Sequence, residues 1–429
     1  MRKFMAAAAI AAGVILASMV TSAATPQPQP PFYDVQGMWA EHDVLLLAAR
    51  NATHPAPSGA FYPDTPVTRA QVVGMLVRGL GEDADAGILA TVPPVFSDIR
   101  ASSYRGLVES AWELGWVYGY PDHTFAPDAP IRRDELAALL VRVLGWEEQA
   151  DTSNGRVSFQ DRSSIPPWAR GYVEVATRYG IVTGYEDNTF RPAGYTTRAE
   201  AAALVARVLR AKGAAYDFAG VVTSTPGIKL SVRIGDRVAS FSVLPGATVF
   251  RNLQRADLTD IRPGDEAYVV LDRSGGVAFI DAFFWDDIGA VVSVDTGNRF
   301  LQYLPRFGGG VRRVGVEANA SIFRNGRAAG LWSLRPGDRL YLVFTAATGQ
   351  ARIVDAVKQD VQGTVASTSG LRRTISIRGY DGVERAYTVS PAVIAYMDGI
   401  STAWTGLPRG TRVIAALENG EIVYIEGEQ

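Results

Sequence analysis

The 429-residue sequence predicts a multidomain chain in two unlike halves, an α-helical half of three repeats followed by an all-β half of three more. Three observations lead there. Phe-x-Asp recurs at Phe32, Phe96 and Phe159, in steps of 64 and 63 residues. Each copy leads into an apolar run spaced i, i+3, i+4, which is one buried helical face. From Asp217 the period changes: Phe250, Phe323 and Tyr396 lie 73 residues apart, among short alternating runs bounded by Gly and Pro.

The N-terminus reads as an export signal. Arg2 and Lys3 precede an apolar stretch from Ala6 to Val20, and small residues follow at Ser22, Ala23 and Ala24. That is the order of a cleaved signal peptide over residues 1–24, with a Pro-rich linker over 25–31. No later stretch is long and apolar enough to span a bilayer, so no membrane span is expected after cleavage. The chain has no Cys, which excludes disulfides and thiolate metal sites. Net charge is -2, so neither nucleic acid nor anionic lipid is the expected partner.

The helical repeats run over 32–90, 91–150 and 151–212. Each reads as Phe-x-Asp, helix, Gly-bounded turn, Phe-x-Pro loop, helix. The Phe-x-Pro loops are Phe61-Tyr-Pro63, Phe125-Ala-Pro127 and Phe190-Arg-Pro192. The turns are Gly115-Trp-Val-Tyr-Gly119-Tyr120 and Gly180-Ile-Val-Thr-Gly184-Tyr185, where the leading Gly suits a left-handed helix C-cap. The first repeat is degenerate, with Asn51 and Pro55 in place of those glycines. Thr68-Arg-Ala-Gln71 and Thr197-Arg-Ala-Glu200 are capping boxes, and Arg132-Arg-Asp-Glu135 has lost its Thr. Capping does not account for Arg69, Arg133 and Arg198. A cation in the first helical turn opposes the macrodipole, yet it recurs three times in register. It either pairs with an acid of the next repeat or offers a guanidinium fork to an anionic ligand. Asp34, Asp98 and Asp161 read most simply as helix caps, and Trp39, Trp112 and Trp168 as core.

The β half divides into units over 217–286, 287–360 and 361–429, each of about five strands in a compact barrel or curled sheet. Gly264, Gly337 and Gly410 each follow the marker aromatic by 14 residues, twice within Arg-Pro-Gly-Asp. His42, His54 and His123 all lie in the helical half, so no Ser/His/Asp or Cys/His set can form in the β half. Asp265 and Asp338 sit in turns where a local role suffices, and Asp286-Asp287 reads as a solvated turn. No catalysis, cofactor or metal is expected.

The linked motifs Phe-x-Asp, Gly-Ile-Val-Thr-Gly-Tyr, Asp187-Asn-Thr-Phe-Arg-Pro192 and Thr-Arg-Ala-Glu resemble the S-layer homology family, from Phe32 to about Ala211. The third copy matches best and the first least. The resemblance implies a pseudo-three-fold helical bundle whose grooves bind secondary cell-wall polysaccharide, often bearing a pyruvyl ketal. It implies Arg69, Arg133 and Arg198 as carboxylate forks, Gly119 and Gly184 where backbone meets sugar, and Tyr120 and Tyr185 as aromatic covers. Asp34, Asp98 and Asp161 match its early acid. The expectation is a non-catalytic cell-surface protein held to the wall by its repeats. Its β half would project for spacing, adhesion or self-association in a surface layer. The rivals are a wall-anchored carbohydrate-active enzyme with paired carboxylates in the β half, and an envelope tether whose repeats are purely structural.

Overall fold

The computed structural model describes residues 32–428, except 307–308, 346–347 and 398–399; the signal peptide and Pro-rich linker lie outside these residues. The helical half contains α1 (Glu41–Ala49), α2 (Arg69–Gly79), α3 (Ala86–Leu89), α4 (Arg105–Glu113), α5 (Arg133–Val143), α6 (Glu147–Asp151), α7 (Arg170–Arg178) and α8 (Arg198–Ala211). The pairs α1/α2, α4/α5 and α7/α8 are the three repeats, with α3 and α6 in the connections. The first helices end as the sequence demands. Asn51, Gly115 and Gly180 all take the left-handed conformation, at φ 55°, 73° and 69°.

The repeats close on one another around an axis. Val67 N–H donates to Thr196 O (2.9 Å), Thr196 N–H to Ile131 O (3.1 Å), and Ile131 N–H to Val67 O (3.0 Å). These equivalent residues precede α2, α8 and α5, so three backbone bonds form a ring and none of the three repeats is terminal. Around it, α2, α5 and α8 bury nearly continuous apolar runs such as Val72, Val73, Leu76 and Val77.

Each β unit is a six-stranded sheet, five strands of which close into a barrel. In the first, β1 (Phe218–Ser224), β2 (Lys229–Ile234), β3 (Arg237–Arg251), β4 (Gln254–Arg255), β5 (Glu266–Leu271) and β6 (Val277–Phe283) run in the order β2-β1-β5-β6-β3-β4. A further pairing of β2 with β3 closes the sheet. Closure depends on β3, which pairs antiparallel with β2 and then parallel with β6. The change of partner falls between Ser242 and Val243, and Pro245 and Gly246 lie in the register break that follows, between Val243 and Thr248. The other two units repeat this order. The short β4, a two-residue hairpin strand, is the one that the alternating pattern does not show.

Buried ion pairs mark the same register. Arg251 chelates Asp265 at 2.7 and 2.9 Å, and Arg324 chelates Asp338 at 2.8 and 3.0 Å. In the third unit both partners change together, to Met397 and Thr411. Losing one partner alone would strand a buried charge at a cost of about 3–5 kcal/mol. A second recurring acid ties each unit's entry to its own sheet: Asp217, Asp286 and Asp360 accept from Leu271, Phe344 and Leu417 N–H at 2.7, 2.6 and 2.6 Å. Asp286 therefore belongs to this clamp, and Asp287 accepts from Tyr303 and Arg312.

The β half is docked on the bundle and does not stand off from it, contrary to the expected projecting arm. Phe250, Phe279 and Ala392 join the helical core. At the seam His42 Nε2 lies 2.8 Å from Asp281 Oδ2, which also accepts from Tyr216 (2.9 Å). Arg210 holds Asp43 (2.7 Å), and the imidazole rests on Phe250 and Phe279. Burial by itself lowers the His42 pKa, but the facing Asp281 carboxylate outweighs it and the net value rises to about 9. A folded pKa above the ordinary 6.5 gives stability that is complete below pH 6.5 and lost as pH rises through about 9. The shift corresponds to about 3 kcal/mol. Thermal melts should therefore show stability falling across that window, and His42→Gln should remove this component of the fall.

Candidate functional site

The recurring arginines sit at the first positions of α2, α5 and α8, and the neighbouring repeat holds each one. Arg69 N–H and Ala70 N–H donate to Ala129 O and Pro127 O of the second repeat. Arg133 and Asp134 do the same to Gly194 and Pro192 of the third, and Arg198 and Ala199 to Thr65 and Pro63 of the first. Each helix N-terminus is thus capped by the next repeat's Phe-x-Pro loop.

That loop is held by the early aspartate. Asp34 accepts from Phe61 and Tyr62 N–H (both 2.7 Å), Asp98 from Phe125 and Ala126 (2.8 and 2.7 Å), and Asp161 from Phe190 and Arg191 (2.8 and 2.7 Å). Tyr62, Ala126 and Arg191 are left-handed, at φ 58°, 55° and 57°, a conformation costing roughly 1–2 kcal/mol. Two charge-assisted bonds per carboxylate offset this. The aspartates therefore clamp loops: they cap no helix, and both oxygens of each are already engaged.

The loop in turn orients the arginine. Arg69 Nε donates to Phe125 O (2.9 Å), and its guanidinium lies 4.9 Å from the Tyr120 ring centroid. Arg133 donates to Thr183 O (2.7 Å) and lies 4.5 Å from the Tyr185 ring. Each arginine of one repeat thus meets the Gly-Tyr turn of the next. The acid that faces them is the third residue of the following helix, with Arg69–Glu135 at 3.5 Å and Arg133–Glu200 at 3.8 Å. These are contacts of charge without hydrogen-bond geometry. The two carboxylates instead accept from Tyr120 and Tyr185 hydroxyls at 3.0 and 2.8 Å. Burial raises both phenol pKa values, which keeps the hydroxyls protonated as donors. Glu135 and Glu200 were legible only as cap residues. In the middle repeat Arg132 offers no acceptor, and Asp134 takes over by receiving Glu135 N–H (2.8 Å).

Gly119 and Gly184 answer to packing. A Cβ on Gly119 would lie 2.3 Å from Phe96 Cε1, and one on Gly184 would lie 2.5 Å from Phe159 Cε1. Those phenylalanines belong to the Phe-x-Asp motif of the same repeat, so the glycine is required whether or not backbone meets a sugar there. Trp39, Trp112 and Trp168 are not core: they are 68%, 44% and 51% exposed.

The first groove, between α2 and α5, encloses a cavity of about 280 Å³. Arg69, Tyr118, Tyr120, Glu135, Arg142 and Trp168 are among its walls. The second repeats the Arg133, Tyr185 and Glu200 arrangement. The third is different. Arg198 bonds Phe61 O (2.6 Å) and lies over the Phe61 ring (4.6 Å), with no Gly-Tyr turn beside it and Gln71 at the acid's register. The Tyr104 ring covers Gly74, where a Cβ would approach within 2.8 Å, so the floor that Ala138 gives the first groove is occupied in the third. Burial lowers the Arg198 pKa.

Comparison with known proteins identifies the helical repeats. The S-layer homology domain family matches at residues 31–73, 95–137 and 158–202. The amylopullulanase of Thermoanaerobacterium thermosulfurigenes is 32% identical over 42% of this chain and 10% of its own length. The cellulosome-anchoring protein of Acetivibrio thermocellus is 33% identical over 38% of this chain and 37% of its own. The surface-layer 125 kDa protein of Lysinibacillus sphaericus is 28% identical over 48% and 17%. The chain thus spans only a minor part of these relatives, and the likeness lies in the helical repeats. Residues 31–202 carry three S-layer homology domains, which place the protein at the cell-wall surface. No helix among the described residues is long and apolar enough to cross a membrane.

The clamp makes two predictions. Asp98→Ala removes two charge-assisted bonds and should cost about 3 kcal/mol in chemical denaturation. Gly119→Ala should cost at least ~1–2 kcal/mol from its left-handed backbone, with the Phe96 clash added.

Proposed function

We propose that this protein is a non-catalytic wall anchor whose first two inter-repeat grooves bind an anionic secondary cell-wall polysaccharide through Arg69 and Arg133. One observation carries the reading. Each guanidinium is largely buried, stacked on a tyrosine, and has its nearest carboxylate beyond hydrogen-bonding distance. Arg133 Nε is buried without a partner among the described residues, so this cation is not fully compensated by the protein. A planar cation so placed is completed by an anion that accepts from its remaining N–H groups, and a ketal carboxylate on a sugar fits that geometry. Tyr120 and Tyr185 then cover the pyranose face, while their bonded glutamates accept from its hydroxyls.

The third groove is left out of this reading because Tyr104 fills it and no Gly-Tyr turn faces Arg198. The β half is read as a rigid platform. Its turn carboxylates Asp265 and Asp338 are already chelated by arginine, which supports a non-catalytic role. Lateral self-association through these barrels is part of the proposal and is testable by the oligomeric state of the purified protein.

The test is co-sedimentation with purified wall sacculi, before and after acid removal of the secondary polymer. Wild type should pellet only with intact walls. Arg69→Ala and Arg133→Ala should each weaken retention about ten- to a hundredfold, at about 1.5–3 kcal/mol per charged contact. The double variant, which still carries Arg198, should stay in the supernatant. Pelleting of the double variant would refute the reading.

A further inference from the structure

The two open grooves are unequal in a way that their shared arginine, tyrosine and glutamate do not explain. The first continues past that trio along α5. Glu135, Ala138, Leu139 and Arg142 all line the cavity, and their i, i+3, i+4, i+7 spacing makes a single helical face. Seven residues at 1.5 Å rise extend the floor ~10 Å beyond the arginine end. The far end is built from aromatic surface. Tyr118 is 57% exposed and Trp168 51% exposed, both facing the cavity. Between them the Arg142 guanidinium lies 5.0 Å from the Tyr118 ring and 5.1 Å from the Tyr172 ring. Glu147 fixes this group, accepting from Arg142 Nε (3.3 Å), Tyr118 (3.2 Å) and Tyr172 (2.9 Å). Arg142 is thus charge-balanced at hydrogen-bonding distance, unlike Arg69, so the far end suits a neutral polar ligand with apolar ring faces.

The second groove lacks these features. Where the first repeat-to-repeat turn has Trp116 and Tyr118, the second has Ile181 and Thr183. Arg207 takes the register of Arg142 but turns inward to Ile181 O (3.1 Å), and burial lowers its pKa. Trp39 precedes the α1 N-cap as Trp168 precedes that of α7, so a tryptophan alone does not distinguish the grooves.

We infer that the first groove recognises two consecutive sugars of the polymer and the second only one. This rests on the anionic-sugar reading of Arg69 and Arg133. The anionic residue sits at Arg69, and a neutral pyranose next to it stacks on Tyr118 and Trp168 and hydrogen-bonds Arg142 and Glu147. The linkage between sugars then runs along the α5 face. The first groove therefore reads the polymer's sequence as well as its charge, and the second reads the charge of a single sugar alone.

The test is calorimetric titration of the full mature chain with two probes. One is a pyruvyl-ketal hexosamine methyl glycoside. The other is the same sugar extended by one neutral hexosamine. Arg133→Ala isolates the first groove and Arg69→Ala the second. With the second groove silenced, the disaccharide should bind about tenfold more tightly than the monosaccharide. With the first silenced, the two should bind alike. Tyr118→Ala and Trp168→Ala, each added to Arg133→Ala, should bring the ratio down to about one, with thermal melts confirming the fold. Thr183→Tyr, added to Arg69→Ala, should raise it in the second groove. Equal affinity of both probes for the first groove would overturn the inference while leaving the arginine reading intact. No binding of either probe to either groove would sink both.

Discussion

Three aspartates hold the helical half in register. Asp34, Asp98 and Asp161 each bind two successive amides of a Phe-x-Pro loop whose second residue is left-handed. The carbonyls of that loop cap the next helix, and the phenylalanine's own carbonyl or ring receives the neighbouring arginine. Remove the carboxylate and the strained residue loses its compensation, the helix loses its cap, and the guanidinium loses its stop. Because the repeats form a ring, each clamp supports an interface it does not belong to. Stability and the geometry of the candidate grooves are therefore the same constraint seen from two sides.

Periodicity carried most of the architecture. The 64-residue and 73-residue registers, the apolar helical stripes and the glycine-bounded turns mark two sets of three units, because repeats multiply a weak local signal. What stayed hidden are relations between units. That Arg69 meets Tyr120 of the following repeat, and not an aromatic of its own, depends on ring closure through Val67, Ile131 and Thr196, which no local pattern encodes. Asp34, Asp98 and Asp161 look like helix caps in sequence because Asp commonly caps, and their true partners lie 27 to 30 residues away. Size and hydrophobicity point Trp39, Trp112 and Trp168 to the core, but exposure depends on which face of the repeat meets its neighbour, and that is a relation between units. The second arginine register, Arg78, Arg142 and Arg207, was visible in the sequence nine residues beyond the first. It carries no functional signal by itself, because a cation late in a helix is what the macrodipole favours.

The β half shows how a repeat stays foldable while it diverges. The Arg–Asp chelate of the first two barrels is absent from the third at both positions, where Met397 and Thr411 stand. Replacing a whole buried ion pair with less polar groups is near neutral, whereas replacing half of it is not. The entry clamp of Asp217, Asp286 and Asp360 persists in all three, because it satisfies a backbone amide that no change of side chain can remove.

The groove that departs most from the repeat pattern lies at the docked seam. The first repeat supplies His42, Asp43 and Arg50 to the seam, and α8 of the third supplies Arg210. The third groove lies between those same two repeats. Arg50 reaches Asp217 one residue before the turn where the Gly-Tyr motif is missing. That turn lacks the Gly-Tyr motif, while Asn51 keeps the left-handed helix cap that the fold needs. The first and second grooves lie between the other two pairs of repeats, and each faces an intact Gly-Tyr turn, Gly119-Tyr120 and Gly184-Tyr185. In the first groove Tyr118 adds aromatic surface that the second, with Thr183 at that register, does not have. The docked interface of this pseudo-symmetric ring is thus the one without a Gly-Tyr turn, and the remaining two differ from each other in their side chains.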